Sequence, residues 1–127
     1  MKLIYVASPY AGDVERNVEY ARQACRTVME CGHAFFAPHL LYPSVLNDAV
    51  PEERQAGMDM GLAMLFRCDE LWVFGPHISS GMQTEIAEAE RMRIPVRRME
   101  IEERPSAEKV PEPDTRTVCN TMQPLPL

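Results

Sequence analysis

The chain has 127 residues, 46% hydrophobic and 25% charged, which suffices for one domain with a core that needs neither disulfides nor metals. Its net charge of −6 argues against a nucleic-acid polymer or an anionic membrane as partner, because both require a positive footprint. No apolar run approaches the roughly 20 residues of a membrane span. Met1-Lys2 leads straight into a strand-like run rather than a signal peptide. The cysteines Cys25, Cys31, Cys68 and Cys119 form no C-x-x-C pair, so reduced, mostly buried thiols in a cytoplasmic protein are expected.

Lys2-Leu3-Ile4-Tyr5-Val6-Ala7 reads as a buried strand that stops at Ser8-Pro9. Asp13 can cap a helix in which Val14, Val18, Ala21, Cys25 and Val28 recur at spacings of three and four, with Gly32 as its stop. Ala34 to Ala37 is a second short strand, ended by Pro38. Residues 39–50 read as a loop. Pro51 suits the first turn of a second helix reaching about Arg67, with Met58, Leu62, Leu65 and Phe66 on its apolar side. Gly57 and Gly61 weaken that helix intrinsically, which points to close packing or ligand approach. Leu71 to Phe74 is a third strand, ending at Gly75-Pro76. After Ser79-Ser80-Gly81 a third helix turns Met82, Ile86 and Ala89 inward, and Pro95-Val96 opens a fourth strand.

From Glu100 the character changes. Residues 100–127 hold five of the eleven prolines, six acidic and three basic residues, and no apolar periodicity. They read as an extended, Pro-rich acidic tail behind a domain of residues 1–99, either solvated or docking on a neighbouring subunit.

Alternating strands and helices imply right-handed crossovers and a three-layer α/β fold, Rossmann-like or flavodoxin-like, around a parallel sheet of four to five strands. Ligands of such sheets bind beyond the carboxyl ends of the strands. That rule nominates three segments: Ala7 to Asp13, Pro38 to Asn47, and Gly75 to Glu85.

The last segment is the richest in chemistry. Serine hydroxyls and free N–H groups at a helix start can hold an anion, and Gly81 permits close approach. Glu85, about one turn into the helix, would be favoured in its ionised form by the positive helix end, as a nucleophile requires. A purely structural reading competes, in which Ser79 and Glu85 form a capping box. On the first strand Tyr5 is expected in the core with its hydroxyl at the sheet end, while Tyr10 is expected exposed and able to stack on a ring. Asp69 is expected to cap or pair locally, Asp59 to be an exposed carboxylate, and His39 to be structural. The sequence holds neither a G-x-G-x-x-G nor a Walker loop, and no cluster has metal-ligand spacing, so no cofactor or metal is expected.

Three stretches together resemble the nucleoside 2-deoxyribosyltransferase-like family, and in particular a bacterial and phage branch of it: Ile4-Tyr5-Val6-Ala7-Ser8-Pro9-Tyr10, Cys68 to Gly75, and Gly81-Met82-Gln83-Thr84-Glu85-Ile86-Ala87-Glu88-Ala89. The resemblance spans roughly residues 2–97. It implies a glutamate, here Glu85, that attacks C1′ of a deoxyribose. It also implies a tyrosine, here Tyr5, that holds this nucleophile. Where the transferases carry an aspartate six residues before the nucleophile, this chain has Ser79, as in the related N-glycosidases of deoxynucleoside 5′-monophosphates, whose serine helps hold phosphate. Where the family places an aspartate near the base, this chain has Gly61, with Asp59 as a displaced substitute for the acid or base contact.

The resemblance thus implies a small-molecule nucleoside or nucleotide as substrate and a homo-oligomer with a shared site. Ser8, Pro9, Tyr10, Gly75, Ser79, Ser80, Gly81 and Met82 would contact the substrate. Two other readings stay open: a phosphoribohydrolase, although Met82 replaces its threonine, and a non-catalytic nucleotide-binding or sensing module.

Overall fold

A computed structural model describes residues 1–101 and 123–124. In chain order it comprises β1 (Leu3–Ala7), α1 (Val14–Glu30), β2 (Ala34–Phe36), α2 (Pro38–Leu41), α3 (Pro51–Phe66), β3 (Glu70–Phe74), α4 (Ser80–Arg91), β4 (Val96–Met99) and β5 (Gln123–Pro124), with a 3-10 turn at Tyr42–Ser44. The strand order is β2-β1-β3-β4-β5. The first four strands are parallel, and the two-residue β5 runs antiparallel along β4. Apart from Glu100, Ile101 and β5, the tail expected from residue 100 lies outside the described residues.

Both faces of the sheet are covered, and the period of two along β1 divides its side chains between them. Ile4 and Val6 pack with Tyr20, Ala24, Cys25 and Val28 of α1. Tyr5 and Ala7 face the other way, among Leu65 of α3 and Met82 and Ala89 of α4. Residue 5 therefore shares a layer with residue 85. Chain order and strand order reverse direction at β1, whose neighbours are β2 on one side and β3 on the other. The crevice above the β1/β3 pair is the switch point of this flavodoxin-like order, where such folds bind ligands.

Helix α1 starts where its cap was read. The Asp13 carboxylate accepts from the Arg16 N–H, and Gly32 follows at φ +85°, a conformation that favours glycine. Several local expectations need correction. Residues 38–44 form one short helix and a 3-10 turn instead of a plain loop, because Pro38 sits at the first helical position with its φ already suitable. Val14 and Phe66 are exposed rather than inward, at the first residue of α1 and the last of α3. Asp69 pairs across the sheet, accepting the Leu3 N–H at 2.7 Å. Cys25 and Cys68 are free and buried as expected, but Cys31 is disulfide-bonded. Among the described residues no helix is long and apolar enough to cross a membrane.

At the end of the sheet away from the crevice, Glu70 collects Lys2 at 2.7 Å, Trp72 Nε1 at 3.0 Å and Arg97 Nε at 3.3 Å. Burial raises its proton affinity, but these donors and the Lys2 and Arg97 charges outweigh it and hold Glu70 below the ordinary carboxylate range. The group ties β1, β3 and β4 together with its hydrogen bonds satisfied.

Candidate active site

The crevice is a cavity of about 240 Å³. The exits of β1 and β2, the first half of α3 and the start of α4 wall it. Tyr5 and Glu85 both line it. Tyr5 is only 1% exposed and Glu85 only 6%, and the Tyr5 hydroxyl donates a hydrogen bond to Glu85 Oε2.

The two halves of the capping-box reading separate here. Ser79 is the N-cap of α4, its Oγ accepting from the Met82 N–H at 3.3 Å. Glu85 lies in the second turn and bonds Tyr5 instead. It is also too far along for the helix N-terminus to hold it ionised, because that influence fades within the first turn. Burial raises its pKa to about 7, against the opposing effect of the Tyr5 hydrogen bond. The expectation of a firmly ionised glutamate is thereby corrected. Burial, then the charge of Glu85 and the hydrogen bond to it, drive Tyr5 above the ordinary phenol range, so the shared proton belongs to the tyrosine.

Gly61 explains the approach of α3. A Cβ on it would stand 3.1 Å from the Tyr5 hydroxyl oxygen. One turn earlier, Gly57 keeps the same wall open beside Leu46, whose Cδ1 would be 3.4 Å from an added Cβ. Of the two explanations for these glycines, close packing accounts for Gly61, and both line the cavity.

Of the substrate contacts expected from the sequence, Pro9, Tyr10, Ser79, Ser80 and Gly81 line the cavity. Ser8, Gly75 and Met82 stand behind it. Ser8 and Met82 are 1% exposed, and Gly75 at φ +116° packs against Pro9, with an added Cβ 3.3 Å from Pro9 Cδ. Asp59 points elsewhere on α3: it is exposed, accepts from Gln55 Nε2 at 2.8 Å and is not part of the wall. Tyr10 is half-buried rather than exposed, and it does stack on a ring, that of His39, with centroids 5.1 Å apart and planes at 27°. His39 and Tyr42 line the wall within the nominated segment Pro38 to Asn47, although His39 was expected to be structural and Tyr42 was not singled out; Asp48, Glu53 and Arg54 were missed as wall residues. The Gly57/Gly61 pair, four residues apart on one helix face, was the signal that α3 borders a site. Among the described residues no His, Cys, Asp and Glu group could hold a metal ion.

Residues 2–99 match the model of a family described as Domain of unknown function (DUF7768). The chain belongs to this family. The family match therefore covers every element from β1 to β4 and the whole described cavity. Among solved structures, the chain is similar to a 2-deoxyribosyltransferase of the psychrotolerant bacterium Bacillus psychrosaccharolyticus. The TM-score is 0.65 at 17% identity, covering 94% of this chain and 81% of that one. This likeness is one of fold. No curated protein matches the chain.

Proposed function

We propose that this member of the DUF7768 family cleaves or transfers the N-glycosidic bond of a (deoxy)nucleoside or its 5′-monophosphate, with Glu85 as nucleophile. The observation that carries the reading is the buried Tyr5–Glu85 pair lining the cavity at the switch point. A carboxylate beside an oxocarbenium-like C1′ can form a covalent glycosyl-enzyme, which water or a second base then resolves. Burial raises the proton affinity of Glu85 toward neutrality, which makes its carboxylate more basic and so a better nucleophile once ionised. The Tyr5 hydroxyl fixes one carboxylate oxygen and leaves the other for C1′. The shared fold with a 2-deoxyribosyltransferase supports the same chemistry.

In this reading Ser79, Ser80 and Gly81, at the start of α4, face the 5′ end of the sugar, where hydroxyls and free N–H groups suit a phosphate. Pro9 and Tyr10 face the sugar and base. Asp59, being off the wall, has no role within one subunit. A homo-oligomer belongs to the proposal, supported by Met60 and Phe66, which are 40% and 64% exposed on α3.

The test is incubation with deoxynucleosides, their 5′-monophosphates and the ribo counterparts, with and without a second free base, followed by chromatography. Base release that disappears in Glu85→Ala supports the reading. A new nucleoside in the presence of the second base means transfer, and free base alone means hydrolysis. Activity retained in Glu85→Ala sinks the nucleophile assignment. A nucleotide bound but never cleaved favours the sensing module.

A further inference from the structure

Breaking a glycosidic C–N bond leaves an electron pair on the base nitrogen, and the departing base is a poor leaving group until that nitrogen receives a proton. The following inference rests on the reading above. Tyr5 is committed to Glu85. The middle of α3 contributes Gly57, Met58 and Gly61 to the wall, none of which titrates. Asp48 is exposed, and Glu53 accepts the Asn47 N–H at 3.1 Å.

His39 differs from these in being held in place at the wall. One face of its ring stacks on Tyr10, with centroids 5.1 Å apart, and the main chain of Ser8 at the end of β1 favours the protonated ring. The stack fixes the plane of the imidazole at the wall, where a ring nitrogen can exchange a proton. Burial sets the ring's proton affinity below the ordinary imidazole range, against the Asp48 carboxylate, which favours the protonated form, so an imidazolium here gives up its proton readily.

We propose that His39 is the acid and base of this site, giving a proton to the leaving base and recovering one from the group that replaces it. As a Glu85 oxygen bonds to C1′, the C1′–N bond breaks and its electron pair stays on the base nitrogen. That nitrogen takes the proton from the imidazolium, and the base leaves neutral. Water then attacks C1′ and passes a proton to the free imidazole nitrogen. The C1′–O bond to Glu85 breaks, and its electron pair returns to the carboxylate. The sum is one water added across one glycosidic bond.

The experiment compares leaving groups that do and do not need protonation. The full chain, His39→Gln, His39→Asn and Glu85→Ala are given 2′-deoxyguanosine 5′-monophosphate and its 7-methyl analogue, whose base departs without an added proton. Both histidine variants keep a polar side chain with an N–H but cannot act as an acid near neutral pH. The expected result is a kcat loss of roughly 10²- to 10⁴-fold on the unmethylated substrate, little loss on the methylated one, and no turnover of either by Glu85→Ala. Equal loss on both substrates would overturn the assignment while leaving the glutamate reading intact. Should the histidine variants not fold, the unaltered chain decides with 2′-deoxyuridine 5′-monophosphate and its 5-fluoro analogue. Similar rates support enzymatic protonation, and a steep preference for the better leaving group overturns it. Release of no base from any of the four substrates overturns assignment and reading together.

Discussion

Tyr5 on β1 and Glu85 on α4 are eighty residues apart and joined by a buried hydrogen bond in which the phenol donates to the carboxylate. Burial acts on both groups in the same sense, favouring the protonated forms. The pair is consequently a place where stability and proposed activity depend on pH in opposite ways.

Stability comes first. A carboxyl with a pKa near 4.5 in the unfolded chain and about 7 in the fold binds its proton more tightly when folded. Its contribution is fully present below pH 4.5 and is lost as pH rises through 7, up to about 3 kcal/mol in all. Glu85→Gln cannot ionise, so its stability advantage over the parent should grow from pH 5 to pH 8. Urea unfolding across that range would measure it, and parallel stability curves would contradict the raised pKa.

Activity should move the other way. Attack needs the ionised carboxylate, so on the 7-methyl substrate, whose base draws no proton from His39, the acid limb of kcat/KM should rise through a value near 7. The Tyr5 hydrogen bond lowers the proton affinity of Glu85. Tyr5→Phe should therefore shift the limb to higher pH, and should cost about 1–3 kcal/mol at pH 8, where an ionised buried oxygen is left without its donor. An unshifted limb would separate the titration from Glu85.

The two glycines of α3 should respond differently to alanine. At Gly61 the new methyl meets the Tyr5 hydroxyl at 3.1 Å, in a core that cannot yield freely. Displacing that hydroxyl should cost roughly ten- to a hundredfold in kcat, with stability held near the parent's because alanine is the better helix former. At Gly57 the neighbour is the tip of the Leu46 side chain at 3.4 Å. Gly57→Ala should stabilise by about 0.5–1 kcal/mol. Thermal melts and steady-state kinetics on both variants would check the contrast.

Ser79 combines a cap and a proposed substrate contact, and two substitutions divide these roles. Ser79→Ala should lose about 1 kcal/mol with the cap. Ser79→Asp keeps a capping oxygen but adds a negative charge where a phosphate would lie. It should raise KM for 5′-monophosphates while leaving that for nucleosides nearly unchanged. Equal KM changes for both substrate types would place the phosphate elsewhere.

Most of the fold was legible because its signals are local. Asp13 marks the start of α1, and Gly32 its end. The short continuous apolar run Ile4, Tyr5, Val6 and Ala7, stopped by Ser8-Pro9, suits a strand covered on both faces. Pro38 was legible as a strand end but not as a helix start, since one residue type serves both. Ser79 could be singled out because helix starts at a switch point are where such folds place polar groups, whereas the pairing of Tyr5 with Glu85 was implied by the resemblance of their motifs to the nucleoside 2-deoxyribosyltransferase-like family.

The chain order of residue types by itself determined the alternating elements, the two-sided burial of the sheet and the three segments that meet above it, since propensity and periodicity are properties of neighbours along the chain. Only the tertiary structure decided which side chains share the cavity. It excluded Asp59, which the helical turn directs to solvent, and brought in Asp48, Glu53 and Arg54 from outside the three segments. It also decided the protonation tendency of Glu85. A helix start argues for the ionised form, but desolvation depends on every atom packed around the carboxyl and here outweighs it.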